Sequence, residues 1–145
     1  MVEATAGRML VEQGWRIVLD AWPASGEIRL PISPVRSVAG ARVYDEQGLA
    51  QAVNADALAL EGSDPPVIRL VGALPPPGRS RSAIEIDLVA GYGGEPSAVP
   101  APLRQAILRL VARWFEDRED VVARDAERLP RGIAALIAPY RRARL

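Results

Sequence analysis

Residues 99–120 read VPAPLRQAILRLVARWFEDRED, and the fold class turns on how this stretch is read. Leu103, Ile107, Leu110 and Trp114 recur at spacings of four, three and four, which puts them on one face of an α-helix. The spacing predicts a core position for Trp114. Leu108, Val111 and Phe115 make a second stripe beside the first. Together the stripes cover about half the circumference, wider than the ~100° of an ordinary surface helix. A helix of this kind needs two apolar partners. One is the rest of this chain. The other is either more of the chain's own helix and sheet or another subunit, which makes Leu108, Val111 and Phe115 candidate subunit-interface residues. Pro100 and Pro102 mark the first turn, where proline is tolerated because those N–H groups have no intrahelical acceptor. Arg113 and Asp117, four apart, can pair on the exposed side. Beyond Asp120 the stripe fades into the mixed-charge run VVARDAER, and Pro130 closes the segment.

Working back from this helix, the chain alternates rather than repeating every three or four residues. Residues 82–92, SAIEIDLVAGY, give the strongest strand, with Ile84, Ile86 and Leu88 inward and Glu85 and Asp87 outward. Residues 15–21, 27–32, 37–44, 49–53, 57–60 and 67–71 give further short strands. Asp45-Glu46-Gln47-Gly48 has the form of a hairpin turn, with glycine placed for positive φ. Pro31 ends its strand or marks an edge. Six or seven strands separated by turn signals predict a compact antiparallel sheet or small sandwich. Residues 74–82, LPPPGRSRS, form a loop that is either a protruding contact loop or an ordinary connection; its candidate contacts are Pro75, Pro76, Pro77, Arg79 and Arg81. Residues 1–14 read as the last turns of a helix, with Gly14 at the position after its C-terminus. Downstream, Ile133, Leu136, Ile137 and Tyr140 share one face of a short helix that Pro139 ends at Ala138. The tail that follows holds Arg141, Arg142 and Arg144 and no acid.

Composition narrows the chemistry. Of 145 residues 49% are hydrophobic, enough for one domain or two small lobes with a core. Net charge is zero but uneven: residues 1–99 hold 8 arginines against 12 acids, and residues 100–145 hold 10 against 6. The chain has no cysteine and no histidine, which removes disulfides, thiolate metal sites and the Ser-His and Cys-His nucleophile pairs. The first residues lack the apolar region of a signal peptide, and no apolar run approaches the ~20 residues of a membrane span, so a cytosolic, soluble product is expected. Glu85 and Asp87 lie ~6–7 Å apart on one strand face, a spacing that overlaps glycosidase carboxylate pairs; a solvated strand face explains them more simply. Gly91-Tyr92-Gly93-Gly94 is a turn, too short for a dinucleotide loop and without the Lys-Ser/Thr of a P-loop. Glu116, Asp117, Glu119, Asp120 and Asp125 alternate with arginines, as in a salt-bridged helix surface. No catalytic, metal or cofactor residues are assigned, and the residues by themselves indicate an interaction protein.

Four segments in order carry a resemblance: EATAGRMLVEQGWRIVLDAWP, LPISPVRSVAGARVYDEQG, IEIDLVAGYGGEPSAVPAPLRQAILRLVARWFEDRE and LPRGIAALIAPYRRARL. Together they resemble the head–tail connector (adaptor) proteins of long-tailed phages and phage-derived gene transfer agents. The resemblance implies an α+β subunit: a helical bundle, made of the N-terminal helix remnant and two C-terminal helices, with a β-rich antiparallel insertion. The divisions are 1–14, 15–94 and 95–145, within one compact subunit. Proteins of this kind carry more helix ahead of the GR-x-L segment, so the native start is expected further upstream, or part of the helical lobe is missing.

The role implied is structural and non-enzymatic, without a cofactor. Such subunits form a ring, commonly of twelve, under the portal. The ring extends the DNA channel, binds no DNA sequence and joins the filled head to the next head-completion, stopper or tail protein. The C-terminal segment reaches the portal in such connectors, which makes Tyr140, Arg141, Arg142, Arg144 and Leu145 the expected docking residues. The protein is then a virion component of the head–tail interface, made in the bacterial host cytoplasm, with no membrane partner. A stopper-like completion protein, or a small carbohydrate-active or carbohydrate-binding domain, are the alternatives.

Overall fold

A computed structural model of the chain describes residues 2–62, 64–116 and 129–141. In chain order the elements are a helix α1 (Val2–Ala6), strands β1 (Gln13–Leu19), β2 (Glu27–Arg29), β3 (Val35–Tyr44), β4 (Ala50–Ala52), β5 (Leu58–Glu61), β6 (Val67–Leu70) and β7 (Ile84–Ala90), then helices α2 (Ala101–Glu116) and α3 (Arg131–Ile137). β7 is central, as its alternation demands. It pairs antiparallel with β1 on one side, Ile17 opposite Ile86, and with β3 on the other, Ala41 opposite Ile86. β4 folds back on β3 through the turn that ends at Gly48, where φ is +79°. The four strands run in the order β1-β7-β3-β4, and a second antiparallel sheet runs β2-β6-β5.

One apolar core joins the two sheets. Ile84, Ile86, Leu88 and Val43 from the first meet Ile28 and Ile68 from the second, with Leu30 and Ile32 beside them. A second core lies under the helices, where Val2, Ala6, Leu10, Val99, Leu103, Ala106, Leu110, Ile133 and Ile137 are buried together. Full burial of a side chain such as Leu103 contributes ~1.5–3 kcal/mol. α2 starts without a side-chain cap: the Pro100 carbonyl accepts from Leu103 N at 3.0 Å and Arg104 N at 3.1 Å.

The expected helical bundle with a β insertion is overturned. Among the described residues two antiparallel sheets form the larger part of the regular structure, and the α-helices have five, sixteen and seven residues, too little for a bundle into which the sheets would be inserted. The N-terminal piece is the reason at one end. α1 has five residues and stops at Gly7, whose φ is +66°; its N–H donates to the Glu3 carbonyl at 2.7 Å. The Glu3 carboxylate then accepts from Leu10 N at 2.7 Å, so the chain turns out of helix. Gly14, expected just past the helix, lies inside β1. At the other end α3 stops at Ile137, and a single 3-10 turn, Ala138–Tyr140, follows with Pro139 inside it; Ala138 keeps helical angles, φ −49° and ψ −44°, so Pro139 does not push it out of the helical region as expected.

Candidate docking surfaces

α2 buries only part of its apolar surface. Leu103, Ala106 and Leu110 pack under α1 and α3, and Ile107 is half-buried. Trp114 is 56% exposed, which overturns the core position its spacing predicts. Element lengths explain this: 16 residues of helix span ~24 Å, while α3 with seven spans ~10 Å and α1 is barely one turn. Among the described elements nothing long enough covers the end of α2. Leu108, Val111 and Phe115, at 65%, 54% and 70% exposure, lie together on the side facing away from the buried stripe. With Trp114 they form an apolar surface of four large side chains. The helical layer is also basic: Arg104, Arg109, Arg131 and Arg141 are all exposed.

The proline loop is held against the sheet. Trp22 donates its indole N–H to the Pro75 carbonyl at 2.9 Å, and Gly78 N donates to the Tyr44 carbonyl at 2.9 Å. Gly78 has no room for a Cβ, which would sit 2.5 Å from Glu46 N. The Arg79 guanidinium stacks 4.0 Å from the Tyr44 ring centroid and donates to the Ser82 carbonyl, its Nε at 2.9 Å. Pro75 and Pro77 are half-buried, while Pro76 and Arg81 are exposed.

Glu85 and Asp87 do share the outer face of β7, but that face is not a simply solvated one. Arg16 from β1 grips Asp87 through Nε–Oδ1 at 2.6 Å and Nη2–Oδ2 at 3.2 Å. Arg42 from β3 donates to Asp87 as well, and the Tyr44 hydroxyl donates to Glu85 at 3.0 Å. The Arg16 hydrogen bond, more than any other contact, holds the Asp87 carboxyl below the usual range; partial burial opposes it and Arg42 adds to it. A glycosidase acid needs the opposite shift. Among the described residues no group of three or more His, Cys, Asp or Glu is placed to hold a metal. No helix there is long and apolar enough to cross a membrane.

A depressed carboxyl pKa has a definite pH consequence. Asp87 stabilises the fold fully above the unfolded value near pH ~4 and loses that contribution as pH falls through the lower folded value. Asp87→Asn should therefore flatten the acid limb of stability below about pH 4 and weaken the sheet at neutral pH. Urea titrations of both proteins from pH 2.5 to 7 check this. Parallel curves would show that Asp87 has no linked stability.

The expected docking residues at the C-terminus divide. Tyr140 is half-buried against the helical core, and Arg141 is exposed. Arg142, Arg144 and Leu145 lie outside the described residues. Arg8 reaches this point from the other end of the chain and donates from Nε to the Tyr140 carbonyl at 2.7 Å. Arg8 is a site residue that periodicity missed, because it lies in no repeating pattern; its only local signal is its place between Gly7 and the apolar pair Met9-Leu10. The loop, the α2 surface and the tail root contact different elements and do not converge on one site.

No family model matches the chain, and neither does any curated protein. Solved structures do. A chain in the virion of a native gene transfer agent particle is 34% identical, with a TM-score of 0.80, over 99% of this chain and 72% of that one. The chain belongs to the family of gene transfer agent neck proteins. A chain in the neck of the empty particle, computed with C6 symmetry, is 35% identical with a TM-score of 0.78, over 99% of this chain and 73% of its own. Another, in the native neck computed with C12 symmetry, is 34% identical with a TM-score of 0.78, over 99% and 77%. As a member of this neck family the protein is a structural component of the virion.

Proposed function

We propose that this protein is the head–tail connector (adaptor) subunit of its particle, a non-enzymatic protein that forms a ring under the portal. The ring extends the DNA channel without reading DNA sequence and carries the next head-completion or tail protein. The observation that carries this reading is the likeness across 99% of the chain to chains of neck assemblies, one computed with C12 symmetry. In this reading the strands of segment 15–94 form a platform, and segments 1–14 and 95–145 form the portal-facing part. A cyclic ring needs one heterologous contact per copy, so each subunit must offer a surface to its neighbour. The exposed apolar end of α2 supplies one, with Leu108, Val111 and Phe115 on one stripe and Trp114 beside them on the line of the buried stripe; a second copy of this chain is its occupant.

The test is co-assembly with the cognate portal, followed by native mass spectrometry. The parent protein should add as a closed set of subunits, and Leu108→Asp with Val111→Asp should leave the portal without a ring while far-UV spectra stay unchanged. Trp114→Ala should shift stability by less than ~1 kcal/mol, as expected for an exposed position, while reducing ring occupancy. A large loss of stability with intact rings would return Trp114 to the core. Normal rings with both aspartates in place would remove α2 from the subunit contact.

A further inference from the structure

The sheet core and the helical core have no residue in common among those described. Strands pack on strands, and α2 packs on α3 and α1. Between the two layers runs a seam of backbone bonds. Met9 N donates to the Ser33 carbonyl at 2.8 Å and Gly91 N to the Pro34 carbonyl at 2.9 Å. Tyr92 N donates to the Leu10 carbonyl at 3.2 Å and Glu12 N to the Gly93 carbonyl at 3.0 Å. The seam leads into β1 and out of β7, so it ties the helical layer to the first sheet. A line of bonds fixes where two layers meet, and rotation about that line stays the soft motion.

Arg8 adds an attachment to the other sheet. On the helical side its Nε donates to the Tyr140 carbonyl at 2.7 Å. On the sheet side its Nη2 donates to the Asp64 carboxylate, in the turn between β5 and β6, and its Nη1 to Ser33 Oγ at 3.2 Å. The side chains of Arg8 and Asp64 are 12% and 31% exposed, and Ser33 is fully buried. A pair sheltered to this degree is screened less by salt than a surface pair. Loss of either partner leaves a charge buried without its counterpart, so the grip fails as a unit. A planar guanidinium can serve acceptors from three segments at once, whereas an ammonium is a single point.

We infer that Arg8 and Asp64 form a latch that holds the helical layer at one angle to the two sheets, with the seam as its hinge. The consequence for assembly rests on the ring contact proposed for α2. That contact belongs to the helical layer, and in a closed ring every copy meets its neighbour in the same geometry. A layer that swings presents the end of α2 over a range of angles, and rings then close less often.

The chain has no cysteine, so paired spin labels can be placed directly. Leu49→Cys, in the β3–β4 hairpin, with Gln105→Cys, on the exposed side of α2, spans the two layers. Two control pairs stay within a layer: Gln105→Cys with Ala135→Cys on α3, and Val18→Cys with Leu49→Cys in the first sheet. In the parent, electron spin resonance should give one narrow distance distribution for the spanning pair. Arg8→Ala and Asp64→Asn should each broaden it at least twofold and leave both control pairs narrow. If Arg8→Ala does not fold, Asp64→Asn, checked by its melting curve, carries the test. An unchanged spanning distribution overturns the latch. Equal broadening of the control pairs also overturns it, because it marks a general loss of stability. On the portal, unlabelled Asp64→Asn protein should give a spread of copy numbers by native mass spectrometry where the parent gives one. Uniform rings despite a broadened distribution overturn the link to ring closure. If Leu108→Asp with Val111→Asp also assembles normally, the fault lies in the α2 reading and not in the latch.

Discussion

Gly91→Ala is expected to cost more than ~3 kcal/mol and to lower the melting temperature by ~10 °C or more. Gly91 has φ +110°, and a Cβ there would stand 2.3 Å from the Val11 carbonyl oxygen and 2.8 Å from Glu12 Cα. The backbone cannot move aside cheaply. Gly91 N donates to the Pro34 carbonyl at 2.9 Å, Tyr92 N to the Leu10 carbonyl at 3.2 Å, and Glu12 N to the Gly93 carbonyl at 3.0 Å. These bonds lay residues 10–12 beside residues 91–93, at the seam where the sheets meet the helices. Conformational strain alone accounts for ~1–3 kcal/mol, and the overlap with Val11 comes on top. Gly14→Ala is the control: it lies in β1, its Cβ meets nothing within 4 Å, and it should be neutral. Thermal and urea denaturation of both variants decide the matter. A folded Gly91→Ala protein of near-parental stability would mean that the seam is not built as described.

Removal of residues 141–145 should reduce capture by the portal by more than about tenfold while leaving both cores intact. Arg141 is exposed just beyond a turn whose last carbonyl Arg8 already binds, and the remainder of the segment adds Arg142 and Arg144. Arginine makes charge-assisted, often bidentate bonds to carboxylates, so an acidic portal surface is the matching partner. Parent binding should weaken as salt rises, and the truncated protein should show a flatter salt dependence. The core that holds Tyr140 is untouched by this cut, so a melting curve close to the parent's accompanies the result. Truncated protein that binds undiminished would move attention to the loop at residues 75–81.

Much of the sheet could be read from local pattern. β7 alternates over seven residues, and its inward residues are those at the centre of the core. Gly48 supplies the positive φ its hairpin needs, and β2 ends at Arg29, shortly before Pro31. The division of seven strands between two sheets was not legible, because pairings such as β2 with β6 join segments some forty residues apart. Gly7 and Gly14 were equally good helix terminators by type; the capture of Leu10 N by the Glu3 carboxylate, a tertiary-scale detail, goes with Gly7. Trp114 shows the limit of periodicity. An apolar stripe states which face of a helix is buried but not how long its partners are, and among the described residues they end before the stripe does. Arg8 was hidden for the reverse reason: its three acceptors come from distant segments, and no spacing announces them. The resemblance to connectors pointed to the neck family and at the same time overstated the helical part, since the residues themselves already spelled a mainly β chain.

The connector assignment is tested most directly by an electron cryomicroscopy reconstruction of the assembled particle's neck. The account predicts this protein as a closed ring between portal and tail, with the ends of its α2 helices against neighbouring copies and residues 141–145 on the portal. Its presence only inside the capsid, or at the tail tip, would contradict the account.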